Sequence, residues 1–326
     1  MSAIVARLDK VSLGEAVQHS NLTMYPLFGE LPDALDCIVL DDALEHGCAK
    51  VTEISESGSV PELSFVNDCE QSVLLLDGEE LVGAKQNRVL NLSIMVPAHT
   101  TMVIPVSCVE SGRWHHTTQT FSSSGRSHYA SGRRTLSASL HKNLSNYGSH
   151  ASDQSDVWDD IEHKCGRMGC SSGTRASAVM YEDYEETIDD YIDALTLQPG
   201  QVGSLFLING QAVGFDLFAN PEIFNKVFTK LVHSYALDAI DLREDTLPPQ
   251  ELNDEPAKML LEAVRNSPVD SYAALGAGQD LRFHTEQVTG GGLEVNGNIV
   301  HLFGFAMDVE YDTRARHSHM ARSSGG

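Results

Sequence analysis

Between Asn91 and Val109 the chain runs for nineteen residues, NLSIMVPAHTTMVIPVSCV, without a charged side chain. Such a length raises the question of a membrane helix, which needs about 20 apolar residues. The internal pattern answers against one. Pro97 and Pro105 interrupt the run, hydroxyl side chains and His99 are scattered through it, and apolar residues recur at every second position. Proline removes a backbone donor from a helix interior, and alternation at period two marks a strand with one buried face. The stretch therefore reads as two strands, with Leu90, Leu92, Ile94 and Val96 inward on the first and Met102, Ile104, Val106 and Cys108 inward on the second. If these faces share a core, paired residue numbers must sum to an even value, because a one-residue slip turns a strand inside out. The simplest register pairs Val96 with Met102 around PAHTT and brings Arg88 opposite Glu110.

Ahead of this pair lies DGEELVGAKQNR, Asp77 to Arg88, entered from the apolar run Val73 to Leu76. In that register Lys85 to Arg88 meet ESGRW, Glu110 to Trp114, at the end of the hairpin away from its turn. One constellation results, with Glu79, Glu80, Lys85, Gln86, Asn87 and Arg88 on one side and Glu110, Arg113 and Trp114 on the other. Arginine offers a planar fork to phosphate or carboxylate, lysine a point charge, and tryptophan a face for a base or sugar. Glu79 and Glu80 are the candidate catalytic residues, as acid, base or holders of a divalent cation. Lys85, Gln86, Asn87, Arg88, Glu110, Arg113 and Trp114 are the candidate ligand-binding residues. The plain alternative for Arg88 and Glu110 is a cross-strand ion pair, worth about 0–1 kcal/mol if exposed.

Other motifs carry less. Cys108 falls on the apolar face and reads as a buried structural thiol in preference to a nucleophile. His163, Cys165 and Cys170 lack the fourth ligand and tight cysteine spacing of a structural zinc site, so no metal ligand is assigned. The chain has no Walker loop, no Gly-x-Gly-x-x-Gly after a strand and no Gly-x-Ser-x-Gly elbow.

The 326 residues suffice for one large core or two. A formal charge of −24 at pH 7 argues against general nucleic-acid binding, since a polyanion is repelled before specific contacts form. Small anions stay admissible at local basic sites. The opening MSAIVARLDKVSLGEAV has no continuous apolar run or small-residue cleavage pattern, so a cytoplasmic location off the membrane is expected. Cys37, Cys48, Cys69, Cys108, Cys165 and Cys170 are scattered over a chain too large to need disulfides, and are expected reduced.

The expected class is α+β. Residues 1–110 read as a strand-rich part, a sandwich or curled mixed sheet, with strands at Cys37 to Leu40, Ala49 to Ile54, Glu62 to Asn67 and Val73 to Leu76. Residues 111–155 read as a Ser/His-rich loop or linker, because Ser111 to Ser152 contain no aspartate or glutamate and offer little apolar surface. Residues 156–308 read as a helix-and-hairpin part packing on the first. It carries a helix capped by Ser155, a tyrosine-striped acidic helix (Tyr181, Tyr184, Ile188, Tyr191, Leu195), and an Asn-Gly hairpin in QVGSLFLINGQAVGFDLF. A helix capped by Asn220 and Pro221 comes next, then a shorter one near Ala257 to Arg265, then the strands DLRFHTEQV and GLEVNGNIVHLFGFA. Residues 309–326 lack periodicity and read as a disordered tail.

The stretch SVLLLDGEELVGAKQNRVLNLSIMVPAHTTMVIPVSCVESGRW resembles the ARG and rhodanese-phosphatase-superfamily-associated protein domain family, where ARG stands for ADP-ribosylglycohydrolase. The similarity is strongest from Leu22 to Trp114 and continues through the Asn-Gly hairpin and its following helix. The resemblance implies work near NAD-derived or ADP-ribosyl metabolites, in prokaryotic defence or stress, and carries no reaction or catalytic residues with it. The expected function is to bind, with or without processing, an ADP-ribose-like or other phosphorylated nucleotide at the constellation, with no cofactor assigned beyond an optional divalent cation. Two alternatives stay open. One is a non-enzymatic interaction module or adaptor of a defence complex, docking a protein partner on the acidic tyrosine helix and the acid-free segment. The other is a metal-dependent hydrolase.

Overall fold

Alternation in the N-terminal half closes on itself instead of spreading. In the computed structural model, which describes residues 2–30, 35–243 and 251–307, six strands form a closed barrel. Their order is Thr100–Cys108, Glu62–Asn67, Ala49–Glu53, Phe121–Ser127, Glu79–Gly83 and Arg88–Leu90, the last pairing back on the first. Leu63, Phe65, Leu81, Leu90, Ile104 and Val106 fill it, and Met102 packs against the same core as Leu90. A small mixed sheet, Ile94–Val96, Ser72–Leu75 and Cys37–Val39, extends that core. Its outer pair, Cys37–Val39 with Ser72–Leu75, is parallel. The expected α+β class, strand-rich at the N-terminal end, is what the chain adopts.

The larger sheet is nine-stranded and antiparallel. It brings Val11–Leu13, Val17–His19 and Leu22–Gly29 together with Gly203–Ile208, Gln211–Phe218 and the four strands between Asp270 and Ala306. Asn209 and Gly210 both take positive φ (50° and 74°), as a tight two-residue hairpin requires. Asn296 and Gly297 do the same (52° and 79°), so GLEVNGNIVHLFGFA is two strands, Val288–Val295 and Asn298–Ala306. Helices Ala3–Leu8 and Glu255–Arg265 pack on one face of this sheet. Against the other lies Pro221–Asp241, started by Asn220, whose side chain accepts from the Ile223 N–H at 2.9 Å.

Several expectations are corrected. The hairpin keeps its even-sum parity but slips by two residues: Arg88 pairs with Cys108, not Glu110. Ile94–Val96 leaves the barrel to pair with Val73, Leu74 and Leu75, and Met102 pairs with Phe65 instead of Val96. Polar ties fix the exit, the Asp77 N–H donating to Ser93 Oγ (3.1 Å) and Ser107 Oγ to Asn91 Oδ1 (2.6 Å). The acid-free segment is not a loop, since it supplies the barrel strand Phe121–Ser127 and the helix Ala130–Tyr147. That helix needs little apolar surface of its own. Leu136, Leu140 and Leu144 serve two cores, while Asp238 accepts from both N–H and Oγ of Ser131 (2.6 and 2.8 Å) to satisfy its first turn. Cys48 and Cys69 form a disulfide, brought together because Ala49 pairs with Asn67. The stripe is buried at Tyr181, Ile188, Tyr191 and Leu195 but belongs to two helices, Ala178–Asp183 and Glu185–Ala194, broken at the half-buried Tyr184. Asp153, not Ser155, caps Gln154–Met168. Residues 308–326, including the expected tail, lie outside the described residues. Among the described residues no helix is long and apolar enough to cross a membrane.

Candidate functional site

The strands Glu79–Gly83, Arg88–Leu90 and Thr100–Cys108 stop at one end of the barrel, and there Lys85, Gln86, Asn87, Arg88, Glu110, Arg113 and Trp114 come together. The turn between the first two strands is tight, Gly83 and Ala84 both having positive φ. Glu110 Oε2 accepts from Arg113 Nε and Nη2 (2.9 and 2.6 Å) and from the Asn87 N–H (3.2 Å). Arg113 also donates to the carbonyls of Ala84 and Gly83 and to Asn87 Oδ1. All three of its nitrogens are thus engaged within the protein, so it holds the turn in place. Burial alone would raise the Glu110 carboxyl, but Arg113 and its hydrogen bonds hold it below the usual range.

Arg88 is different. Cys108 and Leu81 pair with it across the strands, and Leu81 is barrel core, so its side chain enters the barrel, where it is fully buried. Nη1 donates to Gln86 Oε1 at 2.9 Å, an acceptor shared with Cys108 Sγ at 3.0 Å, while Nε and Nη2 have no partner. Trp114, half exposed, covers this end, its ring centre 5.7 Å from the Arg88 guanidinium and 5.2 Å from Lys85 Nζ. Lys85 Nζ itself donates to the Glu56 carbonyl (2.6 Å). Burial pushes the Cys108 thiol up, which suits a structural thiol.

The two candidate acids do not join this group. Glu79 is buried beneath Pro221–Asp241, with Oε1 accepting from Lys230 Nζ at 2.6 Å and Oε2 from the Leu76 N–H at 2.9 Å. Glu80 pairs with Val89 on the outer face of the barrel. Its carboxyl, raised by burial, lies within the electrostatic reach of Arg126, Glu110 and Glu182.

Beside the cluster opens a cavity of about 800 Å³ between helix Gln154–Met168 and the segment that follows it. Ser111, next to Glu110, belongs to its wall, so the cluster and the cavity are neighbours. The helix is tied to the barrel by Gln154, whose amide makes two 2.8 Å hydrogen bonds with the Cys108 backbone. Trp158, Arg167 and Arg175 face the cavity, along with Ser171 and Ser172. Arg167 is braced by Asp241 (2.6 Å), and Arg175 is exposed at a positive φ of 52°. Cys165 and Cys170 also line it, but burial pushes both thiols up, Cys170 to about 12, so neither is a ready thiolate for a metal.

Among the described residues, the metal-ligand geometry that does occur is Asp77, Asp216 and His301, all buried. Its cation is already present as Arg133, bonded to Asp77 (3.1 and 3.2 Å) and Asp216 (3.1 and 2.6 Å). His301 completes the group, bonded to Asp216 (3.2 Å) and Ser93 (2.8 Å). Gly78 makes room for it, because a Cβ there would lie 2.8 Å from the Arg133 side chain. Sequence reasoning missed this network and the Trp158, Arg167 and Arg175 group. The first spans four distant segments, and the arginines of the second lie outside any run of like residues.

A family model, the ARG and rhodanese-phosphatase-superfamily-associated protein domain, matches residues 10–305. No curated protein and no solved structure matches the chain.

Proposed function

The chain belongs to the ARG and rhodanese-phosphatase-superfamily-associated protein domain family, and on that premise we propose that it binds a phosphorylated, NAD-derived small molecule of the ADP-ribose kind in the cavity beside helix Gln154–Met168. The observation that carries the reading is the cavity itself. At about 800 Å³ it lies within the range of ligand sites, about 300–1,000 Å³. Two arginines, a tryptophan and three serines line it, with Asp159 and Glu162 also in the wall. Arg167 is already paired with Asp241, so Arg175, exposed at the cavity, is the cation that an anion would meet there. Arg175 would hold phosphate, Trp158 would stack on the base, and Ser111 would present its hydroxyl from the wall fixed by Glu110 and Arg113. The reading moves the ligand one step outward from the barrel end. Lys85, Gln86, Asn87, Arg88, Glu110 and Arg113 then act as the rigid wall, and Trp114 as its cap. Glu79, locked to Lys230, takes no part.

Titration calorimetry with ADP-ribose, ADP and inorganic phosphate tests this directly. Wild-type protein should bind ADP-ribose, and Arg175→Ala and Trp158→Ala should each weaken binding about tenfold or more, as loss of a charge-assisted contact or a stacking face does. At about a hundred times its dissociation constant the ligand should add about 2.7 kcal/mol to stability. No binding of ADP-ribose by wild-type protein, or equal affinity in both variants, would defeat the proposal.

A further inference from the structure

Glu80 is left over from the site above, and its surroundings are unusual for a carboxylate. It is 3% exposed, and neither carboxylate oxygen has a hydrogen-bond partner of full geometry, the Ser124 hydroxyl being the weak donor beside it. Among the described residues no other carboxylate has both oxygens buried and unbonded. An unanswered anion in a protein interior is expensive, so such a group is neutralised by a proton or met by a donor from outside.

The strand Glu79–Gly83 turns Glu80 away from the barrel core and toward Ser124, Arg126 and Glu182. Those same three residues line a second, smaller cavity of about 250 Å³, whose wall is completed chiefly by Tyr181, Glu185 and Asp189. The charge balance there is acidic. Glu182, Glu185 and Asp189 in the wall, with Glu80 buried beside it, are set against Arg126, which lies over the Tyr181 ring (5.1 Å), and against His233, whose imidazole burial pushes down toward neutrality. A metal ion is a poor occupant, since among the described residues no three ligand atoms come together here as closely as a metal requires. An ammonium carried on an alkyl stem meets both needs: three N–H donors for the orphaned carboxylate, and apolar length to lie along Ile188 and the edge of Tyr181.

We propose that this cavity is a binding site for a small alkyl polyamine, with one ammonium on Glu80 and the next reaching the rim carboxylates Glu182, Glu185 and Asp189. The site is separate from the nucleotide cavity and stands whether or not that reading holds.

The test is calorimetry and thermal unfolding of the full chain with spermidine and putrescine, with magnesium chloride and sodium chloride at equal ionic strength as controls. Wild-type protein should bind spermidine and gain stability beyond either salt. Glu80→Gln, which keeps the shape and removes the charge, should weaken spermidine binding about tenfold or more while folding at least as well as wild type without ligand. Should Glu80→Gln fail to fold, the rim variant Glu185→Gln/Asp189→Asn is the readout, with severalfold weaker binding expected. No spermidine binding by wild-type protein overturns the proposal, and so does unchanged affinity in whichever variant folds. A stabilisation that magnesium reproduces also overturns it, because that is general screening of an acidic chain.

Discussion

Replacing Arg133 with methionine should cost the protein a large share of its stability, and in a pH-dependent way. The guanidinium, 1% exposed, is shared between Asp77 and Asp216, whose side chains are 6% and 0% exposed. Methionine fills much of the volume and removes the charge, leaving both carboxylates buried without their cation. Stranding a buried charge costs about 3–5 kcal/mol, against a total of about 5–15 kcal/mol for a typical domain. At about 2–4 °C per kcal/mol the variant should melt roughly 6–20 °C below wild type near pH 7.5. The sign of the pH dependence follows from Asp216. Burial alone would raise its carboxyl, but the Arg133 charge and the bonds from His301 and Arg133 hold it well below the usual range. A depressed carboxylate contributes stability that is fully present above its unfolded value, about 3.9, and is lost as pH falls through the folded one. Without Arg133, burial dominates and the folded value rises above the unfolded one, so the variant gains stability as acid protonates it. Thermal scans from pH 8 to 4.5 should therefore show the gap between the two proteins widest at high pH and narrowing toward pH 4.5. A gap of only a degree or two at pH 7.5, or one that widens in acid, would refute the reasoning.

Two further outcomes are expected. Arg113→Lys should destabilise by about 3 kcal/mol in chemical denaturation, because an ammonium cannot replace a fork bonded to Glu110, Ala84 and Asn87 together; a variant as stable as wild type would show that Arg113 does not hold the turn. His128 should stay neutral through pH 5–8, since burial, with Lys164 and Arg133 nearby, pushes its imidazole down to about 3. Its contribution is present above the unfolded value near 6.5 and lost as pH falls toward the folded one, and an imidazole NMR signal titrating near pH 6.5 would contradict this.

What was legible in the sequence follows from which physical quantity each feature depends on. Face parity depends on burial, and Leu90, Val106 and Ile104 do share one core as their alternation requires. Register depends on something alternation does not record. A two-residue slip preserves every face, and the side chains that choose between registers, Asn91, Ser93 and Ser107, look like ordinary polar strand positions. The constellation survived the slip because Gln86, Asn87, Glu110 and Arg113 are bound through a turn and a loop. Glu79 and Glu80, adjacent in sequence, were bound to separate, since neighbours on a strand face opposite sides. The helix Ala130–Tyr147 was illegible for another reason. Its anchor is Arg133 between two aspartates 56 and 83 residues away, and no local pattern of serines and histidines reports a partner at that distance. The second Asn-Gly turn, at Asn296, carried the same signal as the first and was read through.

The buried charges of the fold separate structural glue from candidate chemistry. Arg133 joins Asp77 and Asp216, Lys164 joins Asp238 and Asp241, and Lys230 joins Asp41 and Glu79. In each of these a cation from a helix is shared by two acids, and the bonds stitch helices to strands or to one another. Such groups satisfy themselves and leave nothing for a ligand to answer. Glu80 breaks the pattern completely, and Arg88 breaks it by two nitrogens. Unanswered polarity costs stability, so its retention at the outer face and the end of one barrel is where a bound partner would repay it. If Glu80→Gln proves more stable than wild type and loses spermidine, the extra stability measures what the protein gives up to keep that carboxylate ready.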